Sequence, residues 1–575
     1  MCNAVFWIIY FNKRFKMWLN KSLLLMKLHY FLYSGCIATI LSFGSTYAKQ
    51  LGYSKITVGY IMMSLFVISM LTKPVVGAIV DKFRIKKYMF LVFIFTTGIS
   101  AFFLMFVSRL SLETSVELDC DVNITTVQIY FDHTNKLSDC DQKTLMGNDG
   151  DRLVDCKLYC NNNKILFSEM FSTSKNGLNS SDVGILETKT TDLPILIHLH
   201  NSNNERYGSY NFRVRYVDIN HSRIMSPVCH RPTKMPCQLY CPSPMIMELA
   251  ATPISQKTIV SMPEFWEFFS LLCIFWISQS GIWAIQDPIC FDLLEDKPND
   301  FGKQRCWTSI GWGSVTMLSG WLVDYFSYDK VQKDYTPISY LILSFMILNL
   351  FVASNIPVVE FKLSQNTFQN VFKLFGKLHV ISFFVWILLL GVYSSMTMSY
   401  LFWYLEDLTT EYQCHQMAYI KTLQGFSQGA QSFFGEMPIF FCSGWIIKRI
   451  KHKHCMSLVL FAFTVRFFFY SIMTNPIWVL LIEILNGMAY ALGRAVMVSY
   501  SRRISPPSAH HTVLGLIGLI DCIGLSLGGV LASHIYDFYG GVWLFRLFTY
   551  GSAVMCVLQI TYNLLTKSNE KTIDY

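Results

Sequence analysis

Apolar residues gather along the chain in stretches of about twenty, the length a helix needs to cross a bilayer. Twelve such stretches occur: 29–48, 57–80, 88–107, 264–285, 306–326 and 337–354, then 380–402, 418–447, 456–473, 477–500, 512–535 and 542–565. A polar segment, 355–377, divides them into six and six. The pattern predicts an all-α polytopic membrane protein, with helices one to three in 29–107, four to six in 262–354 and seven to twelve in 378–565. Residues 1–28 and 566–575 are its ends. The apolar start, Met1–Tyr10, is too short to span and lacks a basic stretch before it, so it reads as interfacial rather than as a signal peptide.

Composition agrees with lipid as the solvent. Of the 575 residues 52% are hydrophobic and only 15% charged, against about 25% charged in a soluble domain. A plain soluble enzyme and a disordered chain are both excluded. The net charge of +9 is uneven: Ser111–Met262 holds 14 Lys and Arg against 17 Asp and Glu, leaving 33 against 21 elsewhere. Basic residues crowd particular short connections: Lys13, Arg14, Lys16 and Lys21; Lys82, Arg84, Lys86 and Lys87; Lys448, Arg449, Lys451 and Lys453; Arg502 and Arg503. Under the positive-inside rule these mark one face, so both termini are expected in the cytoplasm of a multi-pass protein, with the plasma membrane as its location. No basic run is interleaved with aromatics, and nucleic acid is not an expected partner.

That orientation puts the insertion 108–261 on the extracellular or lumenal side. Three glycosylation sequons, at Asn123, Asn179 and Asn220, all fall within it. So do seven of the 17 cysteines: Cys120, Cys140, Cys156, Cys160, Cys229, Cys237 and Cys241. An eighth, Cys414, lies on the same side between spans seven and eight, which allows four disulfides, one tying the insertion to the second half; a free Cys414 is the alternative. Alternation over Asn211–Ile219 reads as a strand, so the insertion is expected to be β-rich.

The halves echo one another. Gly77-Ala-Ile-Val-Asp81-Lys-Phe-Arg84-Ile-Lys86 follows span two, and Gly444-Trp-Ile-Ile-Lys448-Arg-Ile-Lys451-His-Lys453 follows span eight. The first copy resembles the Gly-x-x-x-Asp-Arg-x-Gly-Arg-Arg signature of the major facilitator superfamily, with Lys82 for the usual Arg and Ile85 for the usual second Gly. Gly302-Lys-Gln-Arg305-Cys-Trp307-Thr-Ser-Ile-Gly311-Trp312-Gly313 resembles span five of a lactose-permease-like branch. Glu436-Met-Pro438-Ile-Phe-Phe-Cys-Ser-Gly444-Trp, Asn486-Gly-Met-Ala-Tyr490 and Gly528-Gly with Tyr536-Asp537-Phe-Tyr-Gly540 resemble its spans eight, ten and eleven. With the large outer loop, the set is most similar to the animal major facilitator superfamily domain-containing protein 6 type. The resemblance implies two six-helix bundles transporting a solute by alternating access, often with protons, and a cavity formed by spans seven, eight, ten and eleven. It also implies a conformational latch at Gly77, Asp81 and Arg84.

An ionisable side chain at bilayer depth costs about 2.5 kcal/mol or more unless it faces a cavity or a partner. Lys421, Gln424, Gln428 and Gln431 share one face of span eight, and Glu483, Asn486, Tyr490 and Arg494 one face of span ten. These residues are substrate-lining candidates, the alternative being dry polar seams. Glu436 lies off the span-eight stripe; it, Glu483 and Asp521 are candidate proton carriers. Glu483 and Arg494 are about 16 Å apart along the axis, so each needs another partner. Arg466 with Tyr470 and Arg546 with Tyr550 recur in peripheral spans and read as inter-helix pairing. Lys73-Pro74 marks a kink in span two, and His29 reads as interfacial.

No phosphate-cradling Gly-x-x-x-x-Gly-Lys-Ser/Thr loop, no Gly-x-Ser-x-Gly and no metal-spaced His or Cys pair occurs within a span. An enzyme, a bound cofactor and a metal are therefore not expected. The reading is a secondary transporter of a small organic solute, whose partners are the lipid bilayer, that solute and, left open, protons. The alternative is a surface receptor whose outer domain binds a macromolecule.

Overall fold

The computed structural model describes residues 21–110, 114–130, 153–160, 171–172, 192–198, 209–219, 222–229, 231–241, 246, 256–294, 301–328, 332–358, 378–412, 414–504 and 510–566. Among these, nine helices are long and apolar enough to cross a membrane, the last running from Gly515 to Leu565. Counting that one as two and adding two further helices gives twelve, labelled in chain order. The first half comprises α1 (Lys21–Gln50), α2 (Lys55–Phe83), α3 (Lys86–Leu104), α4 (Pro263–Leu294), α5 (Phe301–Phe326) and α6 (Thr336–Ser354). The second comprises α7 (Leu378–Tyr412), α8 (420–450), α9 (His452–Ile472), α10 (Val479–Ile504), α11 (510–539) and α12 (541–565). The last two form one continuous helical segment broken at Gly540, whose φ of 81° belongs to glycine. α5 and α8 are the two added: α5 is too polar to qualify, and α8 is divided by a π-helical stretch into shorter pieces.

Small residues let these two helices approach closely. A Cβ added at Gly425 of α8 would stand 2.6 Å from the Thr316 carbonyl of α5, and one at Gly313 would meet Ser432 Cβ at 2.9 Å. Within the second half, Gly391 of α7 seats against the Asp521 carbonyl of α11 in the same way. Apolar side chains such as Phe103, Phe351, Phe441 and Trp543 point outward, exposed, as lipid-facing positions should.

The internal repeat has a conformational counterpart. Counting from Gly77 puts the signature's second glycine at Arg84 rather than Ile85, and Arg84 has φ 54°. Lys451, seven residues after Gly444 as Arg84 is after Gly77, has φ 66°. Each donates its N–H to the carbonyl four residues back, Val80 or Ile447. Both turns hold a long basic side chain in a left-handed conformation that costs on the order of 1–3 kcal/mol. Gly77 lies on α2; the side chain of Asp81 lies outside the described residues.

Between α3 and α4 the chain forms an antiparallel barrel. Strands β1 (Val116–Cys120), β2 (Thr125–Tyr130), β3 (Leu153–Cys160), β5 (Asp192–His198), β6 (Ser209–Ile219) and β9 (Thr233–Tyr240) pair in the order β2-β1-β9-β3-β5-β6, and β6 returns to β2 to close the ring. β7 (Ser222–Met225) adds to β6, while β4 (Phe171–Ser172) pairs with β8 (Val228–Cys229). The alternation expected over 211–219 holds for Phe212 and Val214, then shifts so that Val217 is buried and Tyr216 only partly. A register break against Leu196 and Ile197 causes the shift, as a β-bulge does. Disulfides join Cys120 to Cys229, Cys156 to Cys241 and Cys160 to Cys237 within the barrel's apolar core. Cys140 lies outside the described residues, as does the side chain of Cys414. Asn123 is exposed on the β1–β2 turn; Asn179 and Asn220 lie outside the described residues.

His29 departs from its expected interfacial place. It is fully buried, with Nδ1 2.9 Å from Asn349 Oδ1 and Nε2 3.4 Å from Gln286 Oε1. Its ring stacks on Tyr33. α1 begins at Lys21, two turns before the apolar stretch, and carries His29 inside the bundle.

Candidate functional site

Polar side chains along α8 divide into two groups. Near the end of the bundle that carries the barrel, Lys421 is 3% exposed and ion-paired with Glu406 of α7, while its Nζ also donates to Thr46 Oγ1 of α1 at 2.8 Å. Gln424 donates to the Phe402 carbonyl at 3.0 Å. Around them Lys49 of α1 meets Asp407 at 2.8 Å and Glu406 at 3.5 Å, Lys55 of α2 stands 4.0 Å from Asp407, and Tyr536 Oη donates to Asp407 at 2.8 Å. Lys49, Lys55 and the Lys421–Thr46 hydrogen bond bridge the halves, whereas Lys421–Glu406, Gln424–Phe402 and Tyr536–Asp407 lie within the second. An exposed pair contributes about 1 kcal/mol or less, whereas breaking a buried one costs about 3–5 kcal/mol. Lys421–Glu406 therefore dominates the cluster, and the half-exposed Lys49–Asp407 pair is secondary.

One turn on, Gln428 Oε1 accepts from Trp312 Nε1 of α5 at 3.0 Å. Next comes a π-helical stretch, Gln431–Glu436. Its i-to-i+5 spacing stacks residues five apart, which an α-helix would not. Glu436, off the stripe in α-helical phase, thereby accepts from Gln431 Nε2 at 2.8 Å. Ser309 of α5 donates to the other carboxylate oxygen at 2.7 Å.

Gln431 also joins α8 to α10, accepting from Asn486 Nδ2 at 2.9 Å. Asn486 in turn contacts Glu483 Oε2 at 2.7 Å, and its own Oδ1 accepts from Arg466 Nη1 of α9 at 2.7 Å. Arg466 Nη2 pairs with Glu483 Oε1 at 2.8 Å, and Tyr470 Oη donates a short hydrogen bond to the same oxygen. Arg466 and Glu483 are 1% and 0% exposed. One hydrogen-bonded chain thus runs from α9 through α10 and α8 to Ser309 in the other half. Arg494 stands apart from it: it lies over the Tyr490 ring and pairs with Asp521 of α11 at 3.1 Å.

The two ends of the bundle differ. Seven of the eleven residues of Ile420–Ala430 are buried, but only Ile447 among the fourteen of Met437–Ile450. Lipid contact alone would treat both segments of one helix alike. Glycines on the facing helices point the same way: a Cβ at Gly59 of α2 would lie 2.6 Å from Ser533 Cβ of α11, whereas Gly77 of α2, Gly515 and Gly518 of α11, Gly302 of α5 and Gly444 of α8 face nothing within 4 Å among the described residues, as does Gly44 of α1 nearer the barrel. The halves are closed at the barrel end and parted at the opposite end.

A family model, the MFS_1 like family, matches residues 23–547. The chain belongs to that family. Its fold is similar to the nucleoside transporter NupG, solved as a point mutant (TM-score 0.57, 12% identity, covering 94% of this chain and 99% of that one). It is also similar to the peptide transporter PepTSo2 (TM-score 0.52, 8% identity, covering 95% and 99%). Family and fold support a secondary transporter, a class distinct from enzymes. Sequence reasoning missed Glu406, Asp407, Lys49 and Lys55 because they are charges at the ends of apolar spans, and the contacts of Lys49 and Lys55 with the acidic pair cross some 350 residues. Ser309 and Trp312 lay inside a quoted motif without an assigned role.

Removing one partner of a buried pair leaves an uncompensated charge. Arg466→Leu should therefore lower the stability of the purified protein by about 3–5 kcal/mol, read as a fall in melting temperature. Arg466→Met with Glu483→Met should recover at least half of that loss. A double variant as unstable as the single one would show that charge pairing is not what holds α9 to α10.

Proposed function

We propose that the chain moves a small organic solute across the membrane by alternating access, and that Glu436 carries the coupled proton. The observation that carries the reading is the asymmetry of the bundle: glycine packing and ion pairs close one end while the same helices stand apart at the other. A solute entering the open end would reach Gln428, Gln431, Asn486 and Tyr490. Glu436 is distinguished from the other two carboxylates by its partners. Glu483 and Asp521 each face a guanidinium, whereas Glu436 accepts only from neutral donors, with Arg305 and Glu483 within electrostatic reach. A carboxylate without a fixed cation can gain and lose a proton without leaving a buried positive charge behind. The motifs in spans five, eight, ten and eleven support a place in the lactose-permease-like branch. The receptor alternative draws no support from family or fold.

Untargeted uptake profiling of cells with and without the protein identifies the solute. For that solute, Glu436→Gln should lower proton-driven uptake by roughly 5- to 150-fold, the range of a coupling free energy of about 1–3 kcal/mol. Counterflow exchange should persist. Unchanged proton-driven uptake in the variant would remove Glu436 from the mechanism.

The proposed orientation places the barrel outside the cell, at the plasma membrane, with both termini cytoplasmic. Three barrel disulfides suit an oxidising compartment. Enzymatic deglycosylation should raise gel mobility, and replacing Asn123, Asn179 and Asn220 together should abolish the shift. With six of the eight cysteines on this side already paired, mapping under non-reducing conditions should find Cys414 bridged to Cys140. A barrel reachable by protease only from the cytoplasm, or Cys414 fully labelled by an impermeant maleimide, would contradict the corresponding part.

A further inference from the structure

Lys73 of α2 is an intramembrane cation outside the network described above. Its Nζ lies 5.7 Å over the Trp283 ring of α4, and among the described residues it has no carboxylate partner. An ammonium at bilayer depth without a counter-ion must face water or a ligand. Its surroundings supply the space: Gly77, one turn further along the same face of α2, has nothing within 4 Å before it. Lys73 therefore looks into the parted end of the bundle. Across that space it lies within electrostatic reach of Cys522 on α11, next to Asp521.

Two arginines share the region. Arg494 is ten residues from the end of α10, and Lys73 ten from the end of α2, so both sit about 15 Å into their helices from the open end. The Arg494 side chain is 42% exposed although it belongs to a spanning helix, and it pairs with Asp521 at one oxygen. Arg305 of α5, on the other half, is 36% exposed, pairs with Asp287 of α4 and lies within electrostatic reach of Tyr490. Arg494 stacks on that same tyrosine at 5.3 Å. Arg305 and Arg494, one from each half, thus flank Tyr490, and Lys73 approaches the same region through Cys522, the neighbour of Arg494's partner Asp521. The two arginines are orientated by Asp287 and Asp521, Arg305 is within electrostatic reach of Glu436 without pairing with it, and Lys73 has no carboxylate partner among the described residues.

We infer that Lys73, Arg305 and Arg494 form a binding site for an anionic group, carboxylate or phosphate, on the transported solute. Guanidinium groups already held by a carboxylate on one side present their remaining N–H donors in a fixed direction, which suits planar or tetrahedral oxyanions. The ammonium adds the uncompensated charge that draws such a group from water. Because the cations come from both halves, an anion bound among them ties the halves together at the end that must close next. The inference rests on the transporter reading and narrows its solute to an anion.

The site can be tested without knowing the solute. In protein lacking other accessible thiols, Tyr490→Cys is treated with a sulfonate-bearing and a trimethylammonium-bearing methanethiosulfonate, and the ratio of rates is compared with that for 2-mercaptoethanol. The anionic reagent should be favoured by roughly tenfold, as expected for a cleft of one sign. Lys73→Gln or Arg494→Gln should lower the preference, and Lys73→Arg should keep it. A ratio equal to that of 2-mercaptoethanol, or reversed, would overturn the site. Succinate or inorganic phosphate should slow the labelling while neutral succinamide does not. Protection by succinate alone assigns a carboxylate and by phosphate alone a phosphate; protection by neither overturns the proposal. Gly515→Cys serves as the control for the transporter reading. If it reacts while Tyr490→Cys shows no anionic preference, only the solute class falls; if it is inert, the open cleft fails as well.

Discussion

A charge buried in a membrane protein has no water to retreat to, so every ionisable group within the spans must be answered by another part of the chain. That constraint organises this molecule. Glu483 is held by Arg466, Tyr470 and Asn486, and Asn486 passes the connection through Gln431 to Glu436 and then to Ser309. The second half is knit together by this chain, and its last link is also one of the few polar contacts reaching the first half. Lys421 answers the same constraint at the barrel end by pairing with Glu406 while touching Thr46 across the interface.

The two kinds of contact serve different ends. Arg466–Glu483 lies wholly within one half and can stay intact while the halves rock. Lys421–Glu406 is part of a cluster whose other members, Lys49 and Lys55, belong to the opposite half. Parting the barrel end removes Lys49 and Lys55 from the acidic pair and lets water reach Lys421. Glycine spacing sets where this can happen. Gly425 seats against the Thr316 backbone, and Gly59 and Gly313 leave room only for the side chains of Ser533 and Ser432, so packing there is tight, while the glycines at 77, 302, 444, 515 and 518, open among the described residues, leave the opposite faces free to approach. The anion site proposed at Lys73, Arg305 and Arg494 lies on that free side.

Much of the architecture was legible in the sequence because lipid imposes a coarse rule, apolar runs of span length, that needs no knowledge of contacts. Span eight was read from the same rule, although a π-helical stretch interrupts its helix. The β-rich, disulfide-bonded character of the insertion followed from alternation and cysteines, although neither its closure into a barrel nor the bulge near Arg215 could be read from period two. Side-chain pairing was harder. Axial rise separated Glu483 from Arg494, which share a face, yet helical phase set Glu436 apart from Gln431 because a π-helical stretch changes the phase midway. His29 was read from its position near a predicted boundary, whereas the helix begins at Lys21. Charges at span ends, such as Lys49 and Asp407, carry no periodic pattern, since their partners are fixed only by tertiary structure.

The central claim is that the ion pairs at the barrel end hold this conformation against its alternate. Distances between spin labels across α2 and α11 test it directly, one pair at Lys82→Cys and Gly515→Cys, the other at Tyr60→Cys and Phe538→Cys. Glu406→Gln removes the counter-charge of Lys421. The account predicts that the distance at the open end then shortens while that at the barrel end lengthens. Distances that stay fixed, or that change in the same direction at both ends, would contradict it.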